Sequence, residues 1–177
     1  MSTEVQALRI IVMGVSGCGK STVSHRIAQA LGLEMTDGDD LHLPGSVVKM
    51  RAGIALEDLD RWPWLDRIGE YLSKPHAQGR VVACSALKRA YRDRIREQAG
   101  PVCFVFLNGS FELIDQRMRQ RVGHYMQAGL LDSQLQTLEK PTPEETDVIT
   151  LQIDQAVPDI LQQALHSLKS SALNALP

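Results

Sequence analysis

Residues 14–21 read Gly14-Val15-Ser16-Gly17-Cys18-Gly19-Lys20-Ser21, a complete G-x-x-x-x-G-K-[ST] pattern, and they stand directly after the apolar run LRIIVM at 8–13. The placement carries as much as the letters. Such a loop holds phosphates when a buried strand delivers the chain to a tight glycine turn and a helix opens at the lysine. Backbone N–H groups and the positive helix end then face the same anion. Both flanks are present: Leu8, Ile10, Ile11, Val12 and Met13 read as the strand, and Val23, Ile27, Ala30 and Leu31 recur at helical spacing. The backbone from Gly14 through Val15, Ser16, Gly17, Cys18, Gly19, Lys20 and Ser21 to Thr22 is therefore expected to bind the phosphates of a nucleoside triphosphate. Lys20 is expected to reach the β- and γ-phosphates, and the Ser21 hydroxyl to ligate Mg²⁺.

Outward from this loop, further continuous apolar runs lie at residues 81–84, 102–107 and 148–153, with a shorter candidate at 33–36. A run without polar alternation suits a strand buried on both faces, as in a parallel sheet covered by helices. Helical stripes fall between them. Trp64 or Leu65 goes with Ile68 and Leu72, Leu87 with Tyr91 and Ile95, and Leu113 with Arg117 after Asn108-Gly109-Ser110. Val157, Ile160, Leu161, Ala164, Leu165 and Leu168 mark one face of a last helix. The alternation predicts an α/β domain of three layers, α/β/α, around a five-stranded parallel sheet with ligands at the carboxyl ends of its strands. Residues 37–63 and 123–143 fit neither strand nor simple crossover helix. Insertions at the ligand end of such a sheet are usually functional. The first is expected to bind substrate, and the second to form a lid over about residues 122–143 of a single domain spanning 1–177.

Composition narrows the classes. A chain of 177 residues suffices for one ordinary α/β domain with its own core. Hydrophobic residues at 44% and charged residues at 23% fit a globular protein and exclude a disordered one. The formal charge of −2, from 19 basic and 21 acidic residues, supplies no field for nucleic acid or anionic lipid, so neither is an expected partner. Residues 1–8 lack a basic segment and a long apolar one, and no apolar stretch reaches the roughly 18 residues of a membrane span, so neither a secretory signal nor a span is expected. Cys18, Cys84 and Cys103 lack metal-ligand spacing and read as reduced thiols of a cytoplasmic protein. Cys18, inside the loop, is either a small turn filler or an oxidation site.

After the second strand the chain reads Asp37-Gly38-Asp39-Asp40-Leu41-His42. Two carboxylates two residues apart on an extended segment can point the same way, and the glycine between them lets the backbone pass close to a ligand. In many phosphate-loop enzymes the acid that orders Mg²⁺ ends another central strand, but the run 81–84 leads into Cys84-Ser85 with no carboxylate. Asp37 is therefore the expected acid of the metal, acting through water, and Asp39 the acceptor of a proton from an attacking hydroxyl. The plain alternative is an Asp-Gly turn with solvated charges. His42 is either a ligand for a hydroxyl or carboxylate, or a loop histidine held by backbone. Lys49, Arg51, Arg61, Lys88 and Arg92 are cations for an anionic substrate, some of them necessarily ordinary surface or structural charges. The residues alone do not sort these cations; Lys49, Lys88 and Arg92 fall in segments that the family resemblance below rests on, which would make them, with Asp39 and His42, substrate-binding. Arg117 and Arg121 share a helical face at the mouth of the second insertion, where they either clamp the transferring phosphoryl group or form a solvated basic face. With Lys20 and Asp39 they make the expected catalytic set.

Several longer segments resemble, in order along nearly the whole chain, the gluconate kinases. They are MGVSGCGKS at 13–21, DGDDLH at 37–42, KM at 49–50, DRWPWL at 60–65, CSALKRAYRDRIR at 84–96, RVGHYM at 121–126 and LLDSQLQTLEKP at 130–141. The loop alone indicates a nucleoside-triphosphate user; the middle and late segments carry the resemblance. It implies the adenylate-kinase-like form of the P-loop kinase fold and phosphorylation of D-gluconate at its 6-hydroxyl by ATP with Mg²⁺, giving 6-phosphogluconate. It also implies a cytoplasmic homodimer with a mobile lid. The chain departs from the family's usual pattern at Ser46 (Asn), Ala55 (Pro), Leu59 (an acid) and Tyr125 (Phe). None removes a phosphate or metal group, but Ser46 and Ala55 sit in the substrate insertion and bear on the choice among related sugar acids. Shikimate kinases, which also pair two aspartates after strand two, are the nearest alternative. A nucleotide switch without turnover is more distant, since no N-K-x-D element is present.

Overall fold

In the computed structural model, which describes residues 7–120 and 129–174, β1 (Leu8–Met13) is the middle strand of a parallel sheet. The order is β2-β3-β1-β4-β5, with β2 at Glu34–Asp37, β3 at Gly79–Ala83, β4 at Cys103–Asn108 and β5 at Val148–Gln152. Helices run over Lys20–Leu31 (α1), Pro44–Arg51 (α2), Asp58–Ser73 (α3), Arg89–Ala99 (α4), Phe111–Gln120 (α5), Leu130–Thr137 (α6) and Val157–Asn174 (α7).

Register explains why β1 shows no polar alternation. Ile11 stands between Val82 of β3 and Phe104 of β4, and successive side chains of a strand point to opposite faces. Ile10 and Val12 thus enter one core with Val81, Val105, Val23 and Ile27 of α1, and Ile160 and Ala164 of α7. Ile11 and Met13 enter the other with Phe106, Trp64 and Ile68 of α3, and Tyr91 and Ile95 of α4. All four β1 side chains are fully buried. Each is worth about 1.5–3 kcal/mol of burial, so the three layers hold the strand ends, and the loops on them, in fixed places.

The interval 37–63 is more ordered than its composition suggests. It holds a 3₁₀ turn at Gly38–Leu41, then α2, then the start of α3, which begins ahead of Pro63. A capping box sets that start: the Glu57 carboxylate accepts the Asp60 N–H, and the Asp60 carboxylate accepts the Glu57 N–H at 3.0 Å. Pro63 removes from α3 only the bond its own N–H would have made to Leu59, close to the helix start. Of the second interval, residues 121–128, Arg121 and Tyr125 among them, lie outside the described residues. The remainder forms α6, whose Leu131 and Leu135 pack with Leu138 just after it on the α1–α7 core, and an arm in which the Glu139 N–H donates to Leu87 O at 2.8 Å. No helix among the described residues is long and apolar enough to cross a membrane.

Candidate active site

β1 hands the chain to Gly14, and the loop closes on α1 at Lys20. Gly17 has φ +80°, and a Cβ there would meet Met118 Cγ at 2.5 Å, so both the turn and its packing need glycine. Gly19 precedes α1 in the left-handed conformation, with no side-chain cap and no acid in the first turn. The positive helix end is left uncompensated. The Ser16 N–H donates to Gln134 Oε1 at 2.6 Å and the Cys18 N–H to Val15 O at 3.3 Å, whereas the N–H groups of Gly17, Gly19, Lys20, Ser21 and Thr22 have no acceptor among the described residues. Such a row of open donors can wrap phosphates. The Lys20 ammonium folds back over the loop to Val15 O at 3.0 Å. Cys18 lies beneath, 1% exposed, and burial raises its thiol pKa, which fits the turn filler and not a reactive thiol.

Asp37 ends β2, and its Oδ1 accepts the Asp39 N–H at 3.0 Å to start the 3₁₀ turn. Gly38 runs so close to β3 that a Cβ would meet Ala83 O at 2.6 Å, and its carbonyl accepts the Trp64 indole N–H at 2.7 Å. The turn is thereby held between β3 and α3. It presents the Asp39 side chain, 84% exposed, to an open cleft. The walls of that cleft raise the Asp39 pKa by displacing water, Asp37 adds to the rise, and the Lys20 charge opposes it. Solvent reaching the group screens these effects, so Asp39 stays ionised at neutral pH while being somewhat more basic than an ordinary aspartate.

His42 stacks on Trp64, the ring centroids 4.2 Å and the planes 12° apart. Its side chain is 4% exposed, with Nε2 3.8 Å from Asp39 Oδ1 and Nδ1 buried without a partner among the described residues. Burial, and then the charge of Arg61, bring its pKa down to about 4. The imidazole is therefore neutral near pH 7 and leaves the Asp39 charge intact.

Among the cations expected to receive an anionic substrate, Arg92 requires correction. It is completely buried, its guanidinium donating to Glu145 at 2.8 and 2.6 Å and to Ala86 O at 3.1 Å. It fastens the loop after β3 to the segment before β5 and has no access to a ligand. Lys49 and Lys88 border the insertion but are already matched, Lys49 to Asp60 at 2.7 Å and Lys88 to both oxygens of Asp58 at 3.0 Å. With those acids taken, Arg61 on α3 has no acid at salt-bridge distance among the described residues, although its charge acts on His42, Asp58 and Asp60. In sequence Arg61 stands among the candidate cations but is passed over for Lys49, Lys88 and Arg92, because a better ranking depends on which acids face each one. Arg117 of α5 donates to Ile153 O at 2.6 Å, and its charge reaches Cys18, which puts it at the border of the phosphate loop. Arg121 lies outside the described residues. Gln134, which reaches Ser16, stands in the LLDSQLQTLEKP segment but carries no charge or spacing that marks it beforehand.

Among the described residues no cluster of three or more His, Cys, Asp or Glu could cage a metal ion. The oxygen donors expected for a metal, the Ser21 hydroxyl in the first turn of α1 and the Asp37 carboxylate at the end of β2, are few, and such a set suits an ion that keeps several waters and leans on substrate phosphates. That is the habit of Mg²⁺.

A family described as AAA domain matches residues 10–141. The thermosensitive gluconokinase of Escherichia coli (strain K12) is 38% identical over 169 residues, covering 94% of this chain and 90% of its own length. A crystal structure of a gluconokinase from Sinorhizobium meliloti 1021 is similar at a TM-score of 0.86 and 47% identity, with 94% of each chain covered. Shikimate kinase from Aquifex aeolicus vf5 follows the same fold at a TM-score of 0.59 and 18% identity, a likeness of fold alone.

Proposed function

The chain belongs to the gluconokinase family of P-loop kinases, and on that premise we propose that it transfers the γ-phosphoryl group of ATP to the 6-hydroxyl of D-gluconate, giving 6-phospho-D-gluconate and ADP. One juxtaposition supports the residue roles. Open loop donors and Lys20 lie on one side of the cleft, and the ionised Asp39 lies opposite, near enough to feel the Lys20 charge.

Asp39 takes the proton of the 6-hydroxyl as that oxygen attacks. The new O–P bond forms while the bond from the γ-phosphorus to the β,γ-bridging oxygen breaks, and ADP leaves with the electron pair. Lys20 and the loop N–H groups hold the β- and γ-phosphates, and Arg117 and Arg121 stabilise charge on the moving phosphoryl group. Ser21, and Asp37 through water, would hold Mg²⁺, which supplies neutralisation of the phosphate oxygens. Arg61 receives the gluconate carboxylate, Lys49 and Lys88 frame the polyol beside their aspartates, and His42 offers its exposed edge to a hydroxyl. A lid over about residues 122–143, its α6 stretch docked on the α1–α7 core in this structure, a homodimer and a cytoplasmic setting belong to the same reading. A coupled ADP-release assay over gluconate, glucose, shikimate, AMP and no acceptor tests it. Turnover that depends on gluconate is expected; preference for shikimate or AMP, or none for gluconate, overturns it.

A further inference from the structure

Of the loop N–H groups, that of Ser16 is satisfied from a distant element, donating at 2.6 Å to Gln134 Oε1, 118 residues along the chain. The helix that carries Gln134 is firmly seated. Leu131 of α6 is buried, Leu135 and Leu138 pack on the α1–α7 core, and Glu139 just beyond is tied to the loop after β3 and to the start of α4. Its N–H donates to Leu87 O at 2.8 Å and its carboxylate accepts the Arg89 N–H at 2.7 Å. The fold itself, more than a flexible side chain, brings this carboxamide to the phosphate loop.

A carboxamide carries one acceptor oxygen and two N–H donors. With the oxygen fixed on Ser16, the NH₂ group is held at the edge of the loop, and it has no acceptor among the described residues. Past Ser16 the open backbone donors resume at the next residue, Gly17, so a phosphate chain seated on Gly17, Gly19, Lys20, Ser21 and Thr22 starts where the Ser16–Gln134 bond ends. We propose that the Gln134 NH₂ donates to the γ-phosphoryl group of bound ATP, its orientation set by the Ser16 bond, and that it is a binding residue for the group being transferred. This rests on the phosphoryl-transfer reading above. A neutral donor aimed at the γ-phosphoryl group favours ATP over ADP without adding charge that would retain the product. Donors fixed in advance are the ones that stabilise a transition state.

The test compares wild type, Gln134→Ala and Gln134→Glu for affinity toward ADP and toward a β,γ-imido analogue of ATP, both with Mg²⁺, and for turnover with gluconate. Gln134→Ala is expected to leave ADP affinity within about twofold and to lower analogue affinity and kcat by roughly 10- to 150-fold, the scale of one lost hydrogen bond to a charged group. Gln134→Glu keeps an oxygen for Ser16 but replaces the donors with negative charge, so its loss should be greater, with ADP again less affected. Tighter analogue binding by Gln134→Ala would make the carboxamide a placeholder that ATP displaces, and the proposal wrong. Equal losses for ADP and the analogue would make Gln134 a support of the fold, and unchanged values in both variants would leave it without a role; either result overturns the proposal. The binding arms need no acceptor, so if gluconate is not the substrate, the ratio of analogue to ADP affinity still decides the matter.

Discussion

Replacing Glu145 by glutamine removes the charge opposite a fully buried guanidinium while hardly changing the shape of the side chain. The Glu145 side chain is 1% exposed and that of Arg92 0%, the two joined at 2.8 and 2.6 Å, with Arg96 adding a contact at 2.9 Å. Arginine keeps its proton in proteins, so Glu145→Gln strands the Arg92 charge. Breaking one side of a buried pair typically costs about 3–5 kcal/mol. Proton linkage gives a similar size: hydrogen bonding from Arg92, and less from Arg96, takes the Glu145 pKa from 4.5 down to about 2. At about 1.4 kcal/mol per tenfold change this is about 3 kcal/mol. Because the pKa is lower in the folded than in the unfolded chain, the stabilisation is full above about pH 4.5 and is lost as pH falls toward about 2. Urea unfolding, followed together by tryptophan fluorescence and far-UV circular dichroism, should show Glu145→Gln less stable by about 3 kcal/mol at pH 7. The gap should narrow by about 1 kcal/mol at pH 3.5, where Glu145 is still ionised in the folded chain but mostly protonated in the unfolded one. In the folded variant the KM for gluconate should not change. A gap under about 1 kcal/mol at pH 7, or a raised KM at unchanged stability, would refute the assignment of Arg92 to the fold and return it to the substrate.

The contrast between Arg92 and the phosphate loop explains what a sequence of this kind discloses. Strand, glycine turn and helix start are local in the chain, and each leaves a mark of its own: an unbroken apolar run, a glycine at φ +80°, a lysine at the helix start. The three central strands β1, β3 and β4 were legible for the same reason, since burial on both faces removes alternation, whereas the edge strands β2 and β5 are only partly covered and mark themselves less. Charges leave no such mark. Arg92 stands in the same basic stretch as Arg89 and Arg96, and only its partner 53 residues away separates a core arginine from a ligand-facing one. Likewise Lys49 and Lys88 look free until Asp60 and Asp58 are seen opposite them, and Arg61 gains prominence only because those acids are already taken. The start of α3 was hidden by Pro63, although Glu57 and Asp60 have the spacing of a capping box. Gln134 reaches Ser16 through the docking of α6, a tertiary event that its neighbours in sequence do not announce.

Lys20→Ala should lower turnover by orders of magnitude, several kcal/mol of transition-state stabilisation, with an unchanged unfolding curve; near-normal turnover would sink the phosphate-loop assignment. Asp39→Asn should cost about 10²–10⁴-fold in kcat with the Mg²⁺ titration unmoved, whereas Asp37→Asn should shift the Mg²⁺ requirement upward; identical titrations for wild type and both variants would contradict that division. The last prediction separates the cations of the insertion. Gluconate carries a carboxylate that glucose lacks, and Arg61 is the half-buried cation there with no acid at salt-bridge distance among the described residues. Glucose would leave Arg61 unpaired in the cleft, so wild type should phosphorylate glucose weakly or not at all. Loss of a charge-assisted hydrogen bond is worth about 1.5–3 kcal/mol, so Arg61→Ala should raise the gluconate KM by roughly 10- to 150-fold and erase most of the preference over glucose. Lys88→Ala, which only frees Asp58, should disturb KM less. If instead Lys88→Ala raises KM strongly while Arg61→Ala leaves it near wild type, a lysine gives up its aspartate to meet the substrate, and the ranking of these cations by their partners in the free protein is wrong.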